Sequence, residues 1–195
     1  MNPDCVQRMS MTEGIERGHS SVGELVFGDC MLPAFSIADT ALTCKSLTEL
    51  DVRWAEGPFY HFFIFSDLCS GLASHKRSLG RLVLDVSKVK YYNWQFTRGS
   101  DTVSLSESLG RPSPGQEINN ELPSYEGIGS LKDFSQLRHL EISVCLFGMV
   151  DSVDSIKEMM PESLDSLVFL GPLQYGQPSI EELVQGIEGA KIRSG

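Results

Sequence analysis

At 195 residues the chain can bury a substantial core, and 41% hydrophobic with 22% charged residues is the composition of a folded globular protein, not a disordered one. Sixteen basic against twenty-six acidic residues leave a formal charge of −10, which opposes the phosphate neutralisation that nucleic-acid binding depends on, so neither DNA nor RNA is an expected partner. No apolar run approaches the roughly 20 residues of a membrane-crossing helix, and MNPDCVQRMSMTEGIERG lacks the basic start and apolar stretch of a secretory signal; the expectation is an intracellular setting, cytoplasmic or nuclear, with no membrane partner.

Residues 1–20 are polar and match nothing later in the chain, and they read as an N-terminal tail or as the broken edge of a longer protein. From Ser21 onward five segments fit one template: SVGELVFGDC, SLTELDVRWA from Ser46, SLGRLVLDVS from Ser78, QLRHLEISVC from Gln136 and SLDSLVFLGP from Ser163. Each runs apolar, two variable, leucine, one variable, apolar. The first apolar positions, Val22, Leu47, Leu79, Leu137 and Leu164, are separated by 25, 32, 58 and 27 residues, and three of these steps lie near the leucine-rich-repeat period of about 20–29. Two segments complete the longer pattern that ends in cysteine and a further apolar residue, through Cys30 and Leu32 and through Cys145 and Phe147. A small, readily buried thiol suits a position where the strand ends and the chain turns into the core, so both cysteines read as packing residues.

Helical spacing falls between these strands. Phe62, Phe65, Cys69 and Leu72 recur at steps of 3, 4 and 3 in HFFIFSDLCSGLASHK, and Val153, Ile156 and Met160 at steps of 3 and 4 ahead of Pro161. FYHFFIF belongs to the first of these and reads as core. A stretch rich in Ser, Pro, Gly and Asn at about 88–126 reads as an inserted loop, with a degenerate repeat at Val103 to Leu109 as the alternative. PSIEELVQGIEGAK, with Ser179 and Glu182 in capping-box spacing and an apolar face of Ile180, Leu183, Val184 and Ile187, is expected to close the stack.

The expected fold is therefore α/β: a leucine-rich-repeat solenoid over 21–195, with a curved parallel sheet on the concave face and helices and irregular turns on the convex one. One unit cannot shelter its own apolar face, so the units must stack. Alternation turns the residues flanking each inward pair onto the concave surface: Glu24 and Val26; Glu49, Asp51 and Arg53; Arg81, Val83 and Asp85; His139, Glu141 and Ser143; Ser166, Val168 and Leu170. Charge gathers on the middle strands. Glu49, Asp51, Arg53, Arg81, Asp85, His139 and Glu141 are the candidate partner-binding residues.

Signals for catalysis are sparse. GxSxG, HExxH, GxxxxGK and GxGxxG are all missing from the chain. The five cysteines, Cys5, Cys30, Cys44, Cys69 and Cys145, are odd in number and scattered without a CxxC, which points to reduced thiols and to neither a disulfide framework nor a zinc site. No catalytic residue, metal or cofactor is expected. The alternative from a different class is a hydrolase with Cys69 as nucleophile and His75 as its base, and a third reading is a truncated chain without an independent role.

ASHKRSLGRLVLD, GIGSLKDFSQLRHLEI and MPESLDSLVFLG, over roughly residues 73 to 172, together resemble the C-terminal leucine-rich-repeat-like region of filamentous-fungal F-box proteins. In that family an F-box docks onto the core of a cullin ubiquitin ligase, and the repeats are expected to hold the protein to be ubiquitinated. The residues ahead of Ser21 are too short and polar to make the F-box helices, so the resemblance implies a substrate-recognition module from a truncated or divergent member. It implies a protein partner, with ligase subunits joining where a longer form carries an F-box, and it brings no catalytic residue to any position here.

Overall fold

The computed structural model describes residues 17–55, 65–89, 127–147, 152–171, 180–187 and 190–193. The elements in chain order are β1 (Glu24–Cys30), α1 (Ala34–Thr43), β2 (Glu49–Trp54), α2 (Phe65–Leu72), β3 (Arg81–Asp85), β4 (His139–Ser143), α3 (Val153–Met159), β5 (Ser166–Leu170), α4 (Ile180–Gly186) and β6 (Ala190–Arg193). Short 3-10 turns follow α2 at Ala73–His75 and β4 at Val144–Phe147. The six strands form one sheet in chain order, and every neighbouring pair is parallel. Parallel neighbours need a crossover, and among the described residues an α-helix lies in the connections β1 to β2, β2 to β3, β4 to β5 and β5 to β6.

The template leucines set the register. Leu25, Leu50, Leu82, Leu140 and Leu167 are paired in one row across β1 to β5, and Phe27, Val52, Leu84, Ile142 and Phe169 in the next. From Leu50 to Phe169 these side chains are buried, in one core with the helices. A slip of one residue at any junction would turn a strand's leucines onto the opposite face, so burial locks the pairing.

The strand entrances repeat as well. The carbonyls of Gly23, Thr48, Gly80 and Arg138, each one residue beyond the first apolar template position, accept two successive N–H groups from the next strand. The donors are Thr48 and Glu49 (2.7 and 3.1 Å), Gly80 and Arg81 (2.8 and 3.1 Å), Arg138 and His139 (2.9 and 3.1 Å), and Asp165 and Ser166 (both 2.9 Å). Ser78 and Ser163, which precede their template leucines, donate to the carbonyls of Leu47 and Leu137, each at 2.9 Å.

On the helical side α1 buries Ala34, Ile37, Ala38 and Ala41, a helical spacing of 3, 1 and 3 carried mostly by small side chains. Residues 56–64, with Phe62 and most of the aromatic run, lie outside the described residues; α2 buries Leu68 and Leu72 and leaves Cys69 half-buried. In α3 Ile156 is fully buried while Val153, and Met160 just past the helix end, pack partly against the core, and Ser152 caps the helix by accepting from the Ser155 N–H at 3.1 Å. Leu183 of α4 is buried; Ser179 of the expected capping box lies outside the described residues. The C-terminal segment adds a strand, β6, beyond its helix. AKIR has no LxxLxL to betray it.

Gly71 brings α1 and α2 together: a Cβ there would lie 2.6 Å from the Ala38 Cβ, 2.7 Å from its Cα and 2.9 Å from its carbonyl oxygen. Alanine would return about 1 kcal/mol of helix propensity. The obstacle is backbone and cannot swing aside, and overpacking costs typically 1–3 kcal/mol. Gly71→Ala is expected to lower stability by about 1–2 kcal/mol, read as a lower urea midpoint at unchanged slope.

β3 pairs directly with β4, so the 58-residue step spans a single strand spacing. Beyond Val89, the inserted loop expected at about 88–126 lies outside the described residues, as does the degenerate repeat at Val103 to Leu109. Residues 1–16 of the tail also lie outside them. Its last residues are tied to the end of α1, with the N–H groups of Gly18 and Ser20 donating to the carbonyls of Leu42 (2.9 Å) and Thr43 (2.8 Å).

Candidate functional site

The sheet face turned away from the helices carries two further in-register rows: Glu24, Glu49, Arg81, His139 and Ser166, then Val26, Asp51, Val83, Glu141 and Val168. Arg53 and Asp85 are register partners just beyond them. All seven candidate residues therefore meet on β2, β3 and β4, brought together by the same register that aligns the leucines behind them.

They form a network of ion pairs. Arg53 grips Asp51 through two hydrogen bonds, Nε to Oδ1 at 2.9 Å and Nη2 to Oδ2 at 3.1 Å. Its Nη2 also lies 3.9 Å from Glu141 Oε2. Arg81 is shared among Asp51 (3.4 Å), Glu141 (3.6 Å) and Glu49 (3.8 Å). His139 Nε2 stands 3.0 Å from Glu141 Oε1. Asp85 accepts the Ser87 N–H at 2.8 Å. The hydrogen bond to Asp51 pushes the Arg53 pKa up, aided by the charges of Asp51, Glu141 and Asp85. Three carboxylates, Glu49, Asp51 and Glu141, meet two guanidiniums in these pairs, and Asp85 adds a fourth negative charge felt by Arg53.

Alternation turns these residues onto the open face, yet those at its centre are covered. Asp51 and Glu141 are each only 7% exposed, and Val83, Ser143 and Leu170 are buried too. Strands stand about 4.8 Å apart, close enough for Arg81 on β3 to reach carboxylates on both neighbouring strands and for Arg53 on β2 to extend across β3 toward Glu141 on β4. The arginines themselves stay about a third exposed, at 34% and 31%. Burying Asp51 is tolerable because bidentate pairing compensates its charge. Ser143 is satisfied as well, its hydroxyl accepting the Val86 N–H at 3.0 Å. Solvent therefore meets guanidinium edges, His139 and Glu49, not the central acids.

Comparison with protein-family models, with curated proteins and with solved structures found no match.

The Cys69 and His75 alternative meets two obstacles. His75 is buried, with Nδ1 accepting the Leu47 N–H at 3.2 Å and Nε2 within 2.9 Å of the Ala41 carbonyl oxygen, so the neutral tautomer with hydrogen on Nε2 satisfies both backbone groups. Neither ring nitrogen is left for a thiol. Burial pushes the Cys69 pKa up to about 12, against the small opposing pull of Lys76, so at pH 8 its thiolate fraction falls about a thousand-fold below that of an ordinary thiol of pKa 9.0. Labelling of Cys69 by iodoacetamide at pH 8, followed by peptide mass spectrometry, is expected to be slower by at least two orders of magnitude than that of a free thiol peptide.

The packing cysteines divide. Cys145 is fully buried in its 3-10 turn. Cys30 is only half-buried, because the ladder shifts between Phe27 and Cys30, where Asp29 takes φ 45°. Beside it the Trp54 indole N–H donates to the Leu32 carbonyl at 2.8 Å. Among the described residues no group of three or more His, Cys, Asp or Glu side chains is arranged to hold a metal ion, and no helix is long and apolar enough to cross a membrane. A cleft of about 310 Å³ opens between the end of α3 and the start of β5, lined by Lys157, Met160, Pro161 and Asp165 among others. It lies apart from the arginine network.

Proposed function

We propose that the chain is a leucine-rich-repeat solenoid whose concave sheet face binds another protein without catalysing a reaction, acting as the recognition part of a cullin-type ubiquitin-ligase adaptor. The reading draws support from the fourfold recurrence of the strand entrance, one carbonyl to two N–H groups at a fixed template position, since stacking of equivalent units makes that recurrence natural. The observation that carries the binding role is the Arg53–Asp51–Arg81–Glu141 cluster with Glu49 and His139 at its margin. Its charges are already paired and its side chains already held, so a partner meets a fixed pattern of polar groups at low ordering cost. Electrostatic patterning of this kind selects partners more than it adds affinity. The ligase connection rests on the resemblance of residues 73 to 172 to fungal F-box proteins.

The test spares the buried acids. Glu49→Lys combined with His139→Asn alters two half-exposed side chains. A protein captured from a fungal extract by the wild-type chain should be retained at least about tenfold less by this double variant, a loss of 1.4 kcal/mol or more, while the melting temperature moves little. Equal retention by both chains contradicts the concave-face role. Cullin-ligase subunits among the captured proteins would support the adaptor reading, and a specific partner found without them would reduce it to a plain binding module.

A further inference from the structure

We infer that the outer edge of β1 is a second binding site, one that takes an extended segment of another protein as an added parallel strand, with a basic residue opposite Glu24 and apolar residues opposite Leu25 and Phe27. The inference follows from the repeating entrance. At each of four junctions a single carbonyl accepts the N–H groups of two successive residues on the next strand, Thr48 and Glu49 being the first such pair. The equivalent donors on β1 are the N–H groups of Gly23 and Glu24. Among the described residues β1 is the edge of the sheet, and these two groups find no acceptor there. Parallel alternation sends the N–H groups of Leu25 and Phe27 toward β2 and leaves those of Glu24 and Val26 facing outward.

Side chains define what would fit. The large apolar residues exposed among the described residues are Val22, Val26 and Met31, all on or beside this strand, and Val26 is 71% exposed. Leu25 and Phe27 are only half-buried, unlike their fully buried row-mates Leu50 and Val52. Glu24 lies directly opposite Glu49, an unfavourable like-charge pair. Glu49 is answered on its far side by Arg81 on β3; Glu24 is exposed, and among the described residues no strand pairs on its far side. A cation on the incoming strand would do for Glu24 what Arg81 does for Glu49. The bulge at Gly28 and Asp29 ends regular pairing after Phe27, which limits the added strand to the length of Val22 to Phe27 and protects the rest of the edge. Strand addition of this kind draws affinity from main-chain bonds and selectivity from alternate side chains.

The test uses the full chain and two capped peptides, SLTKLTVS and SLTELTVS, which differ only at the residue placed opposite Glu24. Amide exchange followed by NMR should show Gly23 and Glu24 protected by the lysine peptide, which should bind roughly three- to tenfold more tightly than the glutamate peptide. In Glu24→Lys the preference should reverse. Absence of binding overturns the inference, as does binding that leaves these two amides unprotected. Protection already present in the chain alone, or growing with chain concentration without peptide, would mean that the edge is filled from within or by a second copy, and also overturns it. None of these readings depends on what the charged face binds.

Discussion

Leu140→Ala is expected to lower the unfolding free energy by ~2–5 kcal/mol, the range for a leucine truncated at a site that cannot collapse. Leu140 is fully buried on the central strand β4, in register between Leu82 of β3 and Leu167 of β5. Both neighbours are themselves fixed by their own pairings, so little can move into the space left by the missing side chain. The melting temperature should fall by roughly 6–15 °C for a domain of this size. Val26→Ala on the exposed edge should change stability by no more than about 0.5 kcal/mol. A Leu140→Ala chain that melts with the wild type would contradict the buried assignment of the whole leucine row.

A somewhat smaller loss, ~2–4 kcal/mol, is expected from His75→Phe, for a different reason. Phenylalanine keeps an aromatic ring in place but has no ring nitrogens, so the Leu47 N–H would be left buried without its partner, at ~1–3 kcal/mol, and the Ala41 carbonyl, which also accepts the Cys44 N–H at 3.0 Å, would lose one of its two bonds, at ~0.5–1.5 kcal/mol. His75 ties the turn after α2 to the end of α1 and the entrance of β2, which makes it a structural clasp between successive strand connections. Chemical denaturation should show the loss as a lower midpoint at unchanged slope. A phenylalanine variant as stable as the wild type would mean that these two bonds carry little, and would reopen a chemical role for the imidazole.

The template made five of the six strands legible, because a strand with one buried face must repeat at a period of two, and the leucine ahead of each inward pair marked where that strand begins. It also predicted which residues share the open face, since alternation assigns faces without further information. Exposure was not legible. Asp51 and Glu141 look like surface acids in a sequence and are covered only because Arg53 and Arg81 reach over from the same and neighbouring strands, a relation that depends on register across gaps of 30 to 90 residues. α1 was missed although Ala34, Ile37, Ala38 and Ala41 have helical spacing, because small side chains give a faint apolar stripe. β6 was missed because it borrows its pairing from β5 and needs no pattern of its own. His75 was weighed as a catalytic base in the sequence, and the backbone groups that occupy it come from 28 and 34 residues away.

The order and register of the strands are what all these arguments share, and methyl NOE spectroscopy on a leucine-labelled chain tests them most directly. The account predicts contacts linking Leu25 to Leu50, Leu50 to Leu82, Leu82 to Leu140 and Leu140 to Leu167, each with the next, and far weaker ones between leucines two strands apart, at about 9.6 Å. A spectrum that joins Leu82 to Leu167 while omitting Leu140, or that pairs these leucines in an antiparallel register, would contradict it.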